Sequence, residues 1–203
     1  MRYLATVCLL AFLAPAMAQD SSLVVIDLRP SEEKEGSGLA PLTGKCNENV
    51  FRVADVATDP LKVELLKQDL DPLLGPSGKT LTVLNWSIYY NKQVQKSGGG
   101  LLKGIGVQGY SMPTEEAKKK AGSKCSQKES AGGWYKADEI DSVYFPLISE
   151  FQGTFAGKPL KVRVVYSPQR KLEGKFAGDA GDTDALLEAV HKTSEAVAGA
   201  IGQ

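Results

Sequence analysis

The chain has 203 residues, with 24 Lys and Arg against 24 Asp and Glu and a single histidine. That balance excludes a general nucleic-acid binder, which needs a basic excess to displace counterions from phosphates. The length suits one domain with its own core, and one histidine with three cysteines offers little for a metal or nucleophilic centre.

Met1 to Ala18 (MRYLATVCLLAFLAPAMA) opens with a positive Arg2 and continues in an apolar stretch from Tyr3 to Leu13 that is too short to span a bilayer. It closes on Ala16-Met17-Ala18, the small-x-small pattern cut by a signal peptidase. Residues 1–18 therefore read as a signal peptide, and the expected location is periplasmic or secreted. Cys8 lies inside the apolar stretch rather than after it, so it belongs to the discarded leader and is not a lipid-attachment site. No later run reaches membrane-spanning character, since 185–201 carries Glu188, His191, Lys192 and Glu195.

Ser22 to Arg29 (SLVVIDLR) is β-branched and apolar and reads as a buried first strand ended by Pro30. A charged, Gly-rich loop follows from Ser31 to Lys45, then a short strand over Val50 to Ala54. Asp59-Pro60 is a helix-start signal, with Asp59 as cap and Pro60 at the first helical position. Leu61, Leu65, Leu66 and Leu70 then share a face until Asp71-Pro72. The clearest strand is Thr80 to Tyr90 (TLTVLNWSIYY), with Trp86, Ile88 and Tyr90 on one side and Ser87 and Tyr89 on the other. Its Asn85-Trp86-Ser87 is formally a glycosylation sequon, but a strand interior is a poor acceptor site.

Residues 91–141 combine glycine groups at 98–100 and 104–109 with lysines and little apolar periodicity, and read as a flexible insertion. In an oxidising compartment Cys46 and Cys125, the two cysteines left after the leader, pair as a disulfide that ties this insertion to the first loop. In the loop-entropy account the bridge contributes about 4–5 kcal/mol. Order returns with a hairpin of Ser142 to Phe155 and Leu160 to Tyr166 around Ala156-Gly157-Lys158-Pro159, then an edge strand over Lys171 to Phe176. Asp182 or Thr183 caps a last helix whose Leu186, Val190, Val197 and Ile201 share a face. The expected fold is a single α+β domain: a mixed or mostly antiparallel sheet with two main helices packed on one face.

The first strand ending in Asp27-x-Arg29-Pro30, the leucine helix, the polar-aromatic strand, the hairpin, the segment Leu172-Glu173-Gly174-Lys175-Phe176 and the closing helix resemble the YajG-type envelope lipoproteins. The likeness covers the scaffold and implies an envelope location. It implies no chemistry, and this chain lacks the family's lipid-anchoring cysteine.

The candidate chemistry is sparse. Gly104-Ile105-Gly106-Val107-Gln108-Gly109 matches GxGxxG, but no strand precedes it and no helix opens after it, so no nucleotide cofactor is expected. There is no CxxC, and His191 alone does not complete a zinc site with two distant cysteines. No GxSxG elbow accompanies His191, which reads as a partly exposed helix residue. Asp138, Glu139 and Asp141 lack the glycine spacing of a calcium loop, and Asp27 with Arg29 reads as a local ion pair at the strand end. The aromatic pair Trp134 and Tyr135, with Lys118, Lys119 and Lys120, has the composition of a partner contact. The expected function is an exported, non-catalytic envelope protein that binds a protein or an envelope polymer, with no cofactor and no metal. The alternative is a small secreted or periplasmic hydrolase whose site is not evident in the sequence.

Overall fold

The computed structural model describes residues 22–34, 39–74, 78–93, 122–130, 132–142, 144–176 and 178–202. The leader, both glycine groups and Lys118 to Lys120 lie outside them. In chain order the elements are β1 (Val24–Asp27), α1 (Ser31–Lys34), β2 (Leu39–Pro41), β3 (Val50–Val53), α2 (Lys62–Leu74), β4 (Thr80–Asn91), β5 (Leu147–Phe155), β6 (Lys158–Tyr166) and α3 (Ala180–Ile201). The six strands form one sheet in the order β2-β3-β4-β5-β6, all antiparallel, and β1 pairs parallel with β4. This is the expected α+β fold with a mostly antiparallel sheet.

β4 organises the molecule. It is long enough that β1 and β3 share one of its edges, β1 pairing with Thr80 to Val83 and β3 with Ile88 to Asn91. Leu81 and Val83 face the helices, and so do Trp86, Ile88 and Tyr90, although the two sets have opposite parity. A bulge between Val83 and Asn85 restores the phase by adding one residue to the strand. Beneath that face, Leu65, Leu66 and Leu70 of α2 and Leu186, Val190 and Val197 of α3 close the main core. Removing this apolar surface from water is the chief stabilising term of the fold. The β5–β6 turn is tighter than the sequence suggests. Only Ala156 and Gly157 form it, both at positive φ (48° and 81°), the backbone of a two-residue hairpin whose twist matches its strands.

Several local expectations are corrected. β1 is an edge strand, not a buried one: Val24 and Ile26 are 49% and 42% exposed, because only one side is paired and one face is left uncovered. The Asp59–Pro60 bond is cis, and α2 opens at Lys62, where the Leu61 carbonyl begins to accept from Glu64 and Leu65. Pro72 lies within the last turn of α2 instead of ending it, a place where a missing N–H costs a single bond. Lys171 to Phe176 forms no strand. Its Glu173 and Lys175 N–H groups instead donate to Asp182 (2.8 and 2.5 Å), with Gly174 between them at φ +79°. Asp182 is thereby occupied, and the cap of α3 is Asp179, which accepts from the Gly181 and Asp182 N–H groups.

Of the stretch 91–141, residues 94–121 and 131 lie outside the described residues. Asn91 ends β4, Lys92 and Gln93 follow it, and 122–130 with 132–141 packs on the sheet face opposite the helices. Gly132 and Gly133 lie so close over Tyr89 that a Cβ on either would stand 2.6–2.7 Å from it. Tyr135 is only 2% exposed. This stretch is held by close backbone approach and polar bonds instead of apolar periodicity, which is why its order does not register as a pattern.

Candidate functional site

Two polar constellations stand out, one beside the middle of β4 and one at its C-terminal end. The first fills the gap that β1 and β3 leave along its edge. Arg29, just beyond β1, donates to Asp27 through Nε and Nη2 (both 2.9 Å) and to Asp55 through Nη1 and Nη2 (3.1 and 2.6 Å). Lys62, the first residue of α2, reaches Asp55 Oδ1 at 2.7 Å and the Trp86 carbonyl at 2.6 Å. Glu33 accepts the Trp86 N–H at 3.4 Å. Charged side chains thus stand where strand partners would, satisfying the exposed backbone of β4 at its widest gap.

Arg29, Asp55 and Lys62 are all buried, with opposite charges interleaved. Burial alone would raise Asp27, but the Arg29 hydrogen bonds outweigh it and hold the carboxyl below its usual range. Burial pushes Lys62 down to about 8, against the pull of Asp55. The ammonium is almost wholly buried and each of its neighbours is bonded, so the cluster helps to build the fold.

The second constellation lies past the C-terminal end of β4, around Cys46 and Cys125, which form a disulfide with Cα atoms 5.6 Å apart. Gln93, just past β4, clamps both cysteine loops. Its Nε2 donates to the Cys46 and Glu48 carbonyls (2.7 and 2.9 Å), and its Oε1 accepts the Lys124 N–H at 3.1 Å. Asn91 holds the next turn by donating to the Gly133 carbonyl at 2.5 Å. Ser123 and Tyr135 exchange bonds (2.9 and 2.7 Å), and the Tyr135 hydroxyl donates to the Gln93 carbonyl at 2.5 Å.

On this frame Trp134 is half-buried. Its indole N–H donates to the Cys125 carbonyl at 2.8 Å, and its own carbonyl accepts from Arg163 of β6. The Lys136 ammonium and the Arg163 guanidinium lie 5.8 and 5.6 Å from the ring centre, within cation–π range. Arg163 is anchored by Glu139 at 2.6 Å. Burial would raise Glu139, but this bond and the Lys136 N–H hold its carboxyl below the usual range. Beside the indole is a groove of about 260 Å³, lined by Lys124, Cys125, Ser126, Trp134, Lys136 and Ala137. It presents the Trp134 ring and the Lys136 ammonium, while the Lys124 ammonium on its wall is paired with Glu48 at 2.6 Å and the Ser126 hydroxyl donates to Glu129 at 2.8 Å.

The site residues named from sequence fare differently. Cys46 and Cys125 come together, and Trp134 lines the groove. Tyr135 also lines the groove but is 2% exposed, and Lys118, Lys119 and Lys120 lie outside the described residues. His191 is on the exposed side of α3, 2.8 Å from Asp69 of α2. Sequence reasoning missed Asp55, Lys62, Gln93, Glu139 and Arg163. Only Lys62 carried a signal, a lysine beside the apolar face at the start of a leucine helix. Among the described residues no helix is long and apolar enough to cross a membrane. Compared with protein-family models, with curated proteins and with solved structures, the chain matches none.

Proposed function

We propose that the protein is an exported, non-catalytic binding protein of the cell envelope, and that the Trp134 groove holds an acidic group of its protein or polymer partner. The observation that carries this reading is the setting of the indole. Trp134 is fixed by Cys125 and Arg163, so little entropy remains to be lost on binding, and the groove beside it carries Lys136, near the ring, and Lys124. A leader-like Met1 to Ala18, a disulfide and the resemblance in element order to envelope lipoproteins support the same location.

Fluorescence tests it, because the other tryptophan, Trp86, is fully buried. Titration with an acidic polysaccharide, polygalacturonate, should perturb the Trp134 emission in a salt-sensitive way, while neutral dextran should not. The double variant Lys124→Ala/Lys136→Ala should weaken that binding at least tenfold with an unchanged melting temperature, within about 2 °C. Equal responses to both polymers, or an unaffected double variant, would remove the groove from consideration.

A further inference from the structure

The disulfide corner holds a third side chain of a type that can bind a metal ion. Glu129 lies four residues after Cys125 across a single turn closed by the Glu129 and Ser130 N–H groups on the Ser126 carbonyl. One ligand atom from each of Cys46, Cys125 and Glu129 lies within 4.8 Å of the others. A tetrahedral zinc ion needs sulfurs about 3.8 Å apart and sulfur-to-oxygen separations of about 3.6 Å, from ordinary Zn–S and Zn–O lengths. The three groups are already gathered at that scale.

Two features make the corner more than a coincidence of positions. The Glu129 carboxylate is oriented from behind: Oε2 accepts both the Ser126 N–H (3.0 Å) and the Ser126 hydroxyl (2.8 Å), which leaves Oε1 to face a metal. These are the outer bonds that metal-binding carboxylates ordinarily receive. The cysteine loops are also joined independently of the sulfur–sulfur bond. Gln93 bonds the Cys46 carbonyl and the Lys124 N–H, Trp134 bonds the Cys125 carbonyl, and Lys124 pairs with Glu48 at 2.6 Å. Breaking the disulfide therefore leaves both sulfurs tethered side by side.

We infer that reduction of Cys46–Cys125 turns this corner into a site for a thiophilic divalent metal ion, zinc fitting best, held by the two thiolates and Glu129. In the redox step a dithiol reductant supplies two electrons and two protons. The sulfur–sulfur bond breaks to two thiols, and the reductant closes its own disulfide. Metal binding then displaces the two thiol protons. Two thiolates and a carboxylate leave a zinc complex with one net negative charge. The fourth position is open to water or another ligand. This inference does not depend on what the Trp134 groove binds.

The test uses Co²⁺, whose visible spectrum reports thiolate ligation and four-coordination. Protein reduced with a phosphine should bind one equivalent with intense sulfur-to-cobalt bands that Zn²⁺ abolishes, and oxidised protein should show none. Glu129→Ala should weaken binding at least tenfold, and Ser126→Ala should do so about tenfold through lost orientation. Far-ultraviolet circular dichroism is followed on the same reduced samples. Cobalt bound as tightly by Glu129→Ala as by the native sequence would overturn the site. So would oxidised protein giving the same bands, or loss of the sheet on reduction.

Discussion

At the residue scale, Lys62 shows how a buried charge is made tolerable and what it still costs. Its ammonium replaces a strand partner for the Trp86 carbonyl and completes the coordination of Asp55, so its removal leaves both groups short of a bond. Lys62→Met should therefore lower stability at pH 7 by about 2–5 kcal/mol, the range for breaking a buried pair. The pH dependence has a definite sign. Folding depresses the Lys62 pKa from 10.5 to about 8, so below pH 8 the group is protonated in both states and adds no slope. Between about 8 and 10.5 the unfolded chain keeps a proton that the folded one has released, so native stability rises with pH across that window. Denaturant unfolding at pH 8 and pH 10 should show the native protein gaining on Lys62→Met by about 1–3 kcal/mol. Tyrosine ionisation is common to both proteins and cancels in the difference. A constant gap would mean that Lys62 titrates normally.

At the element scale, the stretch from Gly122 to Ser142 is the instructive one. Its composition is that of a loop, yet it covers one end of the outer sheet face, where Val50, Ile148, Tyr135 and Ile140 are buried apart from the main core. Gly133 sits at φ +66° with Tyr89 and Val50 against its α-carbon, so both backbone shape and space demand glycine there. Tyr135 carries most of the energetic weight. Truncation to alanine removes a buried ring and its bond to the Gln93 carbonyl, and should cost about 3–5 kcal/mol. Thermal unfolding checks this. For a chain of this size the expected loss is about 6–20 °C, and a loss below 2 °C would return the stretch to the status of a dispensable insertion. Trp134, half-buried on the same backbone, is held by Cys125 and Arg163.

At the scale of the whole molecule, the sheet divides the protein into a dry side and a polar side. The dry side is cooperative: Leu66 of α2, Trp86 of β4, Phe151 of β5 and Val197 of α3 are each fully buried in one cluster. Leu66→Ala should cost about 2–5 kcal/mol by equilibrium unfolding, without change in the denaturant slope. A negligible effect would mean α2 is not packed as described. The Trp86 indole adds specificity there, donating to Ser149 at 2.9 Å, whose hydroxyl also bonds Thr193 of α3 at 2.8 Å. The polar side carries the disulfide, the clamped loops and the groove.

Much of this was legible in the amino-acid order. Apolar periodicity alone picks out β4, α2, the β5–β6 hairpin and α3, because each must hide a face and the face repeats with the element's own period. Core positions such as Leu66, Trp86, Val190 and Val197 follow from the same rule. The pairing of Cys46 with Cys125 follows from their number and expected compartment. What only the tertiary structure decided are contacts between residues far apart in the chain that share no pattern: Arg29 with Asp55, Lys62 with Trp86, Gln93 with both cysteine loops and Glu139 with Arg163. A polar residue does not announce its partner, because one well-placed hydrogen bond needs no repeat to be strong. A bulge such as the one at Val83 to Asn85 moves a strand's inner face by one residue without altering its composition. The scaffold is written in periods, and the groove at Trp134 is made by single polar contacts that only the folded chain brings together.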